Sequence, residues 1–298
     1  QTRDEVCEAL NPQERSVEQS QRLQLLITSL QYCTLMDQTF VLDLFLDVYS
    51  VCRRNEYRYV ATRYSGIILA LLKLMQSKDE VRSLLLRTKL DAHQLYEGVF
   101  TALKALVGDD NANLASEALK CMGLLKLDYL PNIRVSQLCL LTDVQSVKRA
   151  LTSIQFEEGS EDSEVSHEFP KIQERHREDV ISIIVSILSK YILSGKTSFS
   201  SLKSIILRWF SCLRCAEMEP FIHGLFVPLM RPHEIRLRHG TTVFSTQAIN
   251  SAISEASHGT LIALMSQLRE VHKAVPMHLR NSTDLILSVM FQIFMRAC

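Results

Sequence analysis

The chain has 298 residues, enough for one large or two ordinary domains at roughly 150 residues each. Its 33 Lys+Arg balance 33 Asp+Glu, 18 of each sign up to residue 150 and 15 after, which argues against a domain held to nucleic acid by a bulk basic field. Hydrophobic residues at 47% exclude global disorder, while nine Gly and seven Pro are too few for β-sandwiches, dinucleotide folds or glycine-built active-site loops.

Helical spacing dominates from the start. Leu23, Leu26, Ile27 and Leu30 recur at i, i+3, i+4, i+7 behind Asn11-Pro12, a reasonable helix start. Val41, Leu42, Leu44, Phe45, Val48, Tyr49 and Cys52 cover a wide face, as in a helix packed on two neighbours. The same period predicts helices over 57–75, 79–87, 92–107, 113–126, 136–141 and 144–153. Beyond the midpoint it predicts them over 178–193, 200–215, 218–230, 242–257, 260–272 and 283–296. The connections at 76–78, 108–111, 130–132 and 194–196 are short and mostly polar, and no alternating run is long enough to predict a strand.

This pattern predicts an all-α fold, a HEAT/armadillo-like α-solenoid of helical hairpins, with a compact helical bundle as the rival architecture. The helices flanking Gly108–Asn111 fit a unit of about 40 residues, and the small residues of Ala115–Leu125 suit close helix approach. Three regions are expected: helical repeats over 1–153, an acidic and disordered loop over 154–175, and helical repeats over 176–298. Within the loop, Glu157, Glu158, Glu161, Asp162, Glu164 and Glu168 run without an intervening Lys or Arg, a solvated composition suited to meeting a basic partner or competing with RNA. The start without Met and the end at Cys298 predict a fragment of a much longer solenoid protein. No apolar run approaches the roughly 18–20 residues of a membrane span, and no signal peptide is visible in the chain.

Reactive chemistry is sparse. Eight dispersed cysteines read as reduced core thiols of an intracellular protein. Cys212-Leu213-Arg214-Cys215, the one C-x-x-C, reads as core thiols on a helix, since no second pair completes a zinc site. Gly195-Lys196-Thr197 has only the tail of a phosphate loop, and no nucleophile elbow or dinucleotide fingerprint occurs. A non-enzyme without cofactor or metal is expected. Two basic clusters are candidate RNA or partner contacts. Arg53, Arg54, Arg58 and Arg63 are interleaved with Tyr57, Tyr59 and Tyr64, a composition that binds phosphates and stacks on bases. Arg231, Arg236 and Arg238 fall in what reads as an inter-helix loop with His233 and His239. A solvated edge or a salt-bridge ladder between repeats is the competing reading of both.

From Val147 to Pro232 the order of residues resembles a known family. Val147-Lys148-Arg149-Ala150-Leu151-Thr152-Ser153 leads into the acidic loop, followed by Arg175-His176-Arg177-Glu178-Asp179-Val180-Ile181. Ile206-Leu207-Arg208-Trp209-Phe210 and Glu217-Met218-Glu219-Pro220-Phe221-Ile222 come next, closing with Leu225-Phe226-Val227-Pro228-Leu229. This order resembles the down-regulated-in-metastasis family, the very large snoRNA-associated HEAT-repeat proteins of the small-subunit processome. The stretch from Ile206 to Leu229 aligns without a gap, with Leu207, Arg208, Phe221, Leu225, Pro228 and Leu229 on the family's letters. The family's basic run after the first of these helices is poorer in Arg here, through Ser186–Lys196, and its turn becomes Ser211–Cys215. The resemblance implies a non-catalytic scaffold of the nucleus and nucleolus, supporting 18S rRNA processing and small-subunit assembly. Its implied partners are other processome proteins, pre-ribosomal RNA and snoRNA, with no membrane. The alternative is a generic HEAT-type interaction scaffold of the nuclear transport receptor or phosphatase-scaffold type.

Overall fold

Wide apolar faces require neighbours on more than one side, and the first helices find them in one another. A computed structural model of the chain describes residues 25, 29, 38–54, 58–77, 79, 81–84, 93–157, 169–193, 199–226, 229, 236–238, 241–243, 246–277 and 283–297. These residues form an all-α fold of helices with short connections, as a helical-repeat array requires. They divide into two compact units, one running to Val107 and resuming over Asn111–Val135, the other comprising Gly108–Asp110 and everything from Ser136. Of the predicted helix around Leu23–Leu30 only Leu25 and Ser29 are described, both helical, and most of the acidic segment, 158–168, lies outside the described residues.

In the first unit, α1 (Gln38–Arg54) packs on α2 (Arg58–Ser77) and α3 (His93–Val107), and α4 (Ala112–Leu124) packs on both α2 and α3. The buried interior includes Phe45, Leu71, Leu72, Met75, Leu103 and Met122. The turn between α3 and α4 ends in a side-chain cap: Asn111 Oδ1 accepts from the backbone N–H of Asn113 (3.1 Å) and Leu114 (3.4 Å), satisfying donors that a helix start leaves open. Small residues let α4 sit close, with Ala115 and Ala118 fully buried. A Cβ on Gly123 would lie 3.0 Å from Val135 Cγ2, so this position is closed to a side chain unless Val135 yields. Just past the helix, Lys126 takes a left-handed φ of 46°, a conformation that glycine adopts at far lower cost.

From Ser136 onward the second unit comprises the remainder of α5 (Asn132–Thr142), then α6 (Val147–Ser153), α7 (Arg177–Leu193), α8 (Ser200–Phe210) and α9 (Glu219–Phe226). A short ribbon of β1 (Arg236–Arg238) and β2 (Thr241–Val243) follows, then α10 (Thr246–Glu255), α11 (His258–Ala274) and α12 (Thr283–Ala297). Helix α7 is apolar nearly all round and correspondingly buried, packing on α8 and α9. Helix α8 also packs on α6 and α11, α9 on α11, and α10 on α12. Polar groups on the central helix are satisfied where they are buried: Tyr191 Oη donates to Leu141 O (2.9 Å), and Lys190 Nζ to Asp109 O (3.3 Å).

Three expectations need correction. The chain does form strands: β1 and β2 pair antiparallel with Arg236 opposite Val243, Leu237 opposite Thr242 and Arg238 opposite Thr241. The β-branched run Thr241-Thr242-Val243 favours extended backbone, so the helix expected from 242 starts at Thr246. The helix expected over 218–230 is a 3₁₀ turn (Ala216–Met218) followed by α9, with Pro220 tolerated in the first turn, where its missing N–H costs nothing. The helix expected to reach Cys215 stops at Phe210, where the Ser211 hydroxyl donates to Arg208 O (2.6 Å) and takes up a carbonyl of the last turn.

The ends of the acidic insertion are held together. Phe156 and Ile172 form a parallel bridge, with Ile172 N donating to Gln155 O (2.8 Å) and Glu157 N to Ile172 O (3.0 Å).

Candidate nucleic-acid and partner interface

Of the predicted basic contacts, Arg53 and Arg54 close α1, while Arg58 opens α2 and Arg63 lies in its second turn. The backbone therefore places these four at one helix junction of the first unit. Their side chains, and Tyr57 altogether, lie outside the described residues. Arg231 also lies outside them. Arg236 and Arg238 are not on an inter-helix loop as expected; they are strand positions two apart in β1. The two clusters belong to different units.

A more developed charge constellation, missed in the sequence, sits at the start of α7. Arg177 Nε contacts Glu217 Oε1 at 2.7 Å and its Nη2 contacts Oε2 at 3.2 Å, with both side chains largely buried. The same guanidinium lies 4.0 Å over the Phe156 ring, a cation–π contact at the stem of the acidic insertion. Glu217 Oε2 also accepts from Arg214 N (2.7 Å), and the Arg214 side chain reaches out to Glu174 Oε1 (2.6 Å). The hydrogen bond from Arg214 holds the Glu174 carboxyl below the usual carboxylate range. This network joins three chain segments and spends its charges internally, so it is a structural clamp.

In the first unit, Gln76 Nε2 donates to Glu117 Oε2 (2.7 Å), and Lys120 Nζ meets Glu117 Oε1 at 2.7 Å. Burial works to raise the Glu117 pKa, but the hydrogen bonds from Lys120 and Gln76 outweigh it and bring it below the ordinary value. Beside them the fully buried Cys121 thiol is pushed up to about 12 by burial, which makes it a poor nucleophile.

The C-x-x-C reading is corrected as well. Cys212 is exposed and Cys215 half-buried, on the turn after α8 and not in a helix core; Leu213 between them is the buried anchor. Cys215 Sγ lies 3.6 Å from Met277 O. Among the described residues no group of three or more His, Cys, Asp or Glu could hold a metal ion. His223, without a spacing partner in the sequence reading, is largely enclosed on α9, and burial lowers its pKa while Glu219 at 3.8 Å pulls it back up. No described helix is long and apolar enough to cross a membrane.

Two surfaces differ from the rest. On α12, Leu287, Met290, Phe291, Phe294 and Met295 repeat at i, i+3, i+4, i+7, i+8 and are all exposed, while Val289 is fully buried on a helix that packs against α10. The sequence shows both apolar faces of that helix but cannot say which one has a neighbour. On the packed pair α6 and α8, the charged residues are Lys148, Arg149, Lys203 and Arg208, with no carboxylate in either helix.

Comparison with known proteins gives one family. The family model described as U3 small nucleolar RNA-associated protein 20, N-terminal, matches residues 89–298, from before α3 to the last residue. No curated protein and no solved structure matches the chain. The matched span includes the stretch from Ile206 to Leu229 on which the earlier resemblance rests, and the ribbon carrying Arg236 and Arg238. Since the match takes in well over half of the chain, the chain belongs to the family of U3 small nucleolar RNA-associated protein 20, N-terminal.

Proposed function

We propose that the chain is a non-catalytic helical-repeat scaffold of the nucleolar small-subunit processome. In this reading it supports 18S rRNA processing by meeting U3 snoRNA, pre-ribosomal RNA and other processome proteins along extended helical surfaces. The family match over residues 89–298 carries the reading. The chemistry agrees with it, because the buried ionisable groups Arg177, Glu217 and Lys190 bind other parts of the chain, as structural groups do. Recognition on such a surface is spread over many weak contacts, and none needs a convergent set of reactive groups.

Crosslinking the intact protein in cells and sequencing the attached RNA tests the proposal. U3 snoRNA and small-subunit precursor RNA should be recovered above background. Recovery of neither, with partner binding indifferent to ribonuclease, would overturn it in favour of a generic protein-interaction scaffold.

A further inference from the structure

We infer that the exposed apolar stripe of α12 docks on the same stripe of a second copy of the chain, the two helices running antiparallel about a two-fold axis. The inference does not depend on RNA contact.

Helix α12 has two unlike sides. Val289 is fully buried on a helix that packs against α10, and Arg296, two turns on and so on the same side, donates from Nη1 to Ile253 O of α10 (2.6 Å). The opposite side carries Leu287, Met290, Phe291, Phe294 and Met295, each between 42% and 64% exposed. At about 200 Å² per large side chain, they present roughly 550 Å² of apolar surface. A continuous apolar patch of that extent marks an interaction site.

Area, charge and side-chain order together select a second copy as the occupant. Two such stripes pressed together bury about 1,100 Å², just above the roughly 1,000 Å² that a specific interface needs. No charged residue lies between Asp284 and Arg296 along the helix, so identical copies meet without the like-charge repulsion that opposes self-pairing. Antiparallel pairing about the point between Met290 and Phe291 leaves the two Asp284 residues at opposite ends, roughly 20 Å apart at 1.5 Å per residue. The same pairing sets Leu287 against the other copy's Phe294, and Met290 against the other copy's Phe291. Every ring thus meets an aliphatic or thioether side chain, and sulfur against an aromatic ring is a favourable contact. Because the area only just suffices, the dimer is weak and forms in the micromolar range.

Sedimentation velocity of the intact chain from about 1 to 100 µM tests this. The average mass should rise from one chain toward two and level there. The variant Phe291→Glu, Phe294→Glu should stay monomeric throughout, whereas Ile262→Glu, Met277→Glu, exposed on α11 and just after it, should pair like the unaltered chain. Unaltered helical circular dichroism confirms that the variants fold. Leu287→Lys and Phe294→Glu should each weaken pairing at least tenfold, while the two combined regain much of it, since antiparallel pairing sets each Lys against a Glu. A monomer at about 100 µM, or a dimer that survives Phe291→Glu, Phe294→Glu, overturns the inference and leaves the stripe to a helix of another protein. A mass that climbs past two copies without levelling overturns it as well. A combined variant no tighter than the single ones overturns the antiparallel arrangement.

Discussion

Arg177 and Glu217 form a two-pronged ion pair, Nε to Oε1 at 2.7 Å and Nη2 to Oε2 at 3.2 Å, that fastens the first turn of α7 to the turn before α9. Glu217 simultaneously receives the backbone N–H of Arg214, so one carboxylate closes the 211–217 turn and neutralises a buried guanidinium. Removing it leaves Arg177 enclosed without a counter-charge. Glu217→Ala should therefore cost about 3–5 kcal/mol in urea denaturation. The double variant Arg177→Met, Glu217→Leu should lose much less than the two single losses combined, because no orphaned charge remains. Additive losses would show that the pair is uncoupled.

The approach of α4 to the following segment leaves no room beside Gly123. Gly123→Ala gains helix propensity of about 1 kcal/mol but brings a methyl to 3.0 Å from Val135 Cγ2, an overpacking cost of about 1–3 kcal/mol. A net loss of about 1 kcal/mol is expected in chemical denaturation. Adding Val135→Ala should let Gly123→Ala express its helix gain, so that the second substitution is less harmful on that background than alone.

The left-handed backbone at Lys126 offers a substitution in the opposite direction. Lys126→Gly relieves a conformation that costs an L-residue roughly 1–2 kcal/mol, offset in part by the greater freedom of an unfolded glycine. A rise in melting temperature equivalent to about 0.5–1 kcal/mol is expected, with Lys126→Ala giving none.

Acid sensitivity should be traceable to His223. Burial lowers its pKa in the fold, against the weaker upward pull of Glu219, while the unfolded chain keeps the ordinary value near 6.5. On acidification the unfolded state takes up the proton first. The stability contributed by the neutral ring is therefore full above about pH 6.5 and is lost as pH falls towards the lowered folded value. Melting temperature should drop between pH 7.5 and 5.5, and His223→Gln should flatten that drop. An identical pH profile in the variant would contradict the assignment.

The helices were legible because burial imposes a 3.6-residue period that α1, α3 and α11 carry in full. The ribbon was not, because three-residue strands are too short to display alternation, and Arg236-Leu237-Arg238 reads equally well as loop. Leu213 extended the apparent period of α8 into Ser211–Cys215, where the backbone had already left the helix. The clamp on Arg177 could not be seen, since its acceptor is forty residues away and only folding brings it near. The family, by contrast, was legible in the unbroken run from Ile206 to Leu229, because matched packing residues persist where surface charges change.

The bridge between Phe156 and Ile172 makes the length of chain between them a nearly free variable. With both ends pinned beside Arg177, doubling that segment adds only about 0.6 kcal/mol of closure entropy, and shortening it recovers as little. A reporter inserted between these two residues should therefore leave the bridge itself, and the helices α6 and α7 on either side of it, in place.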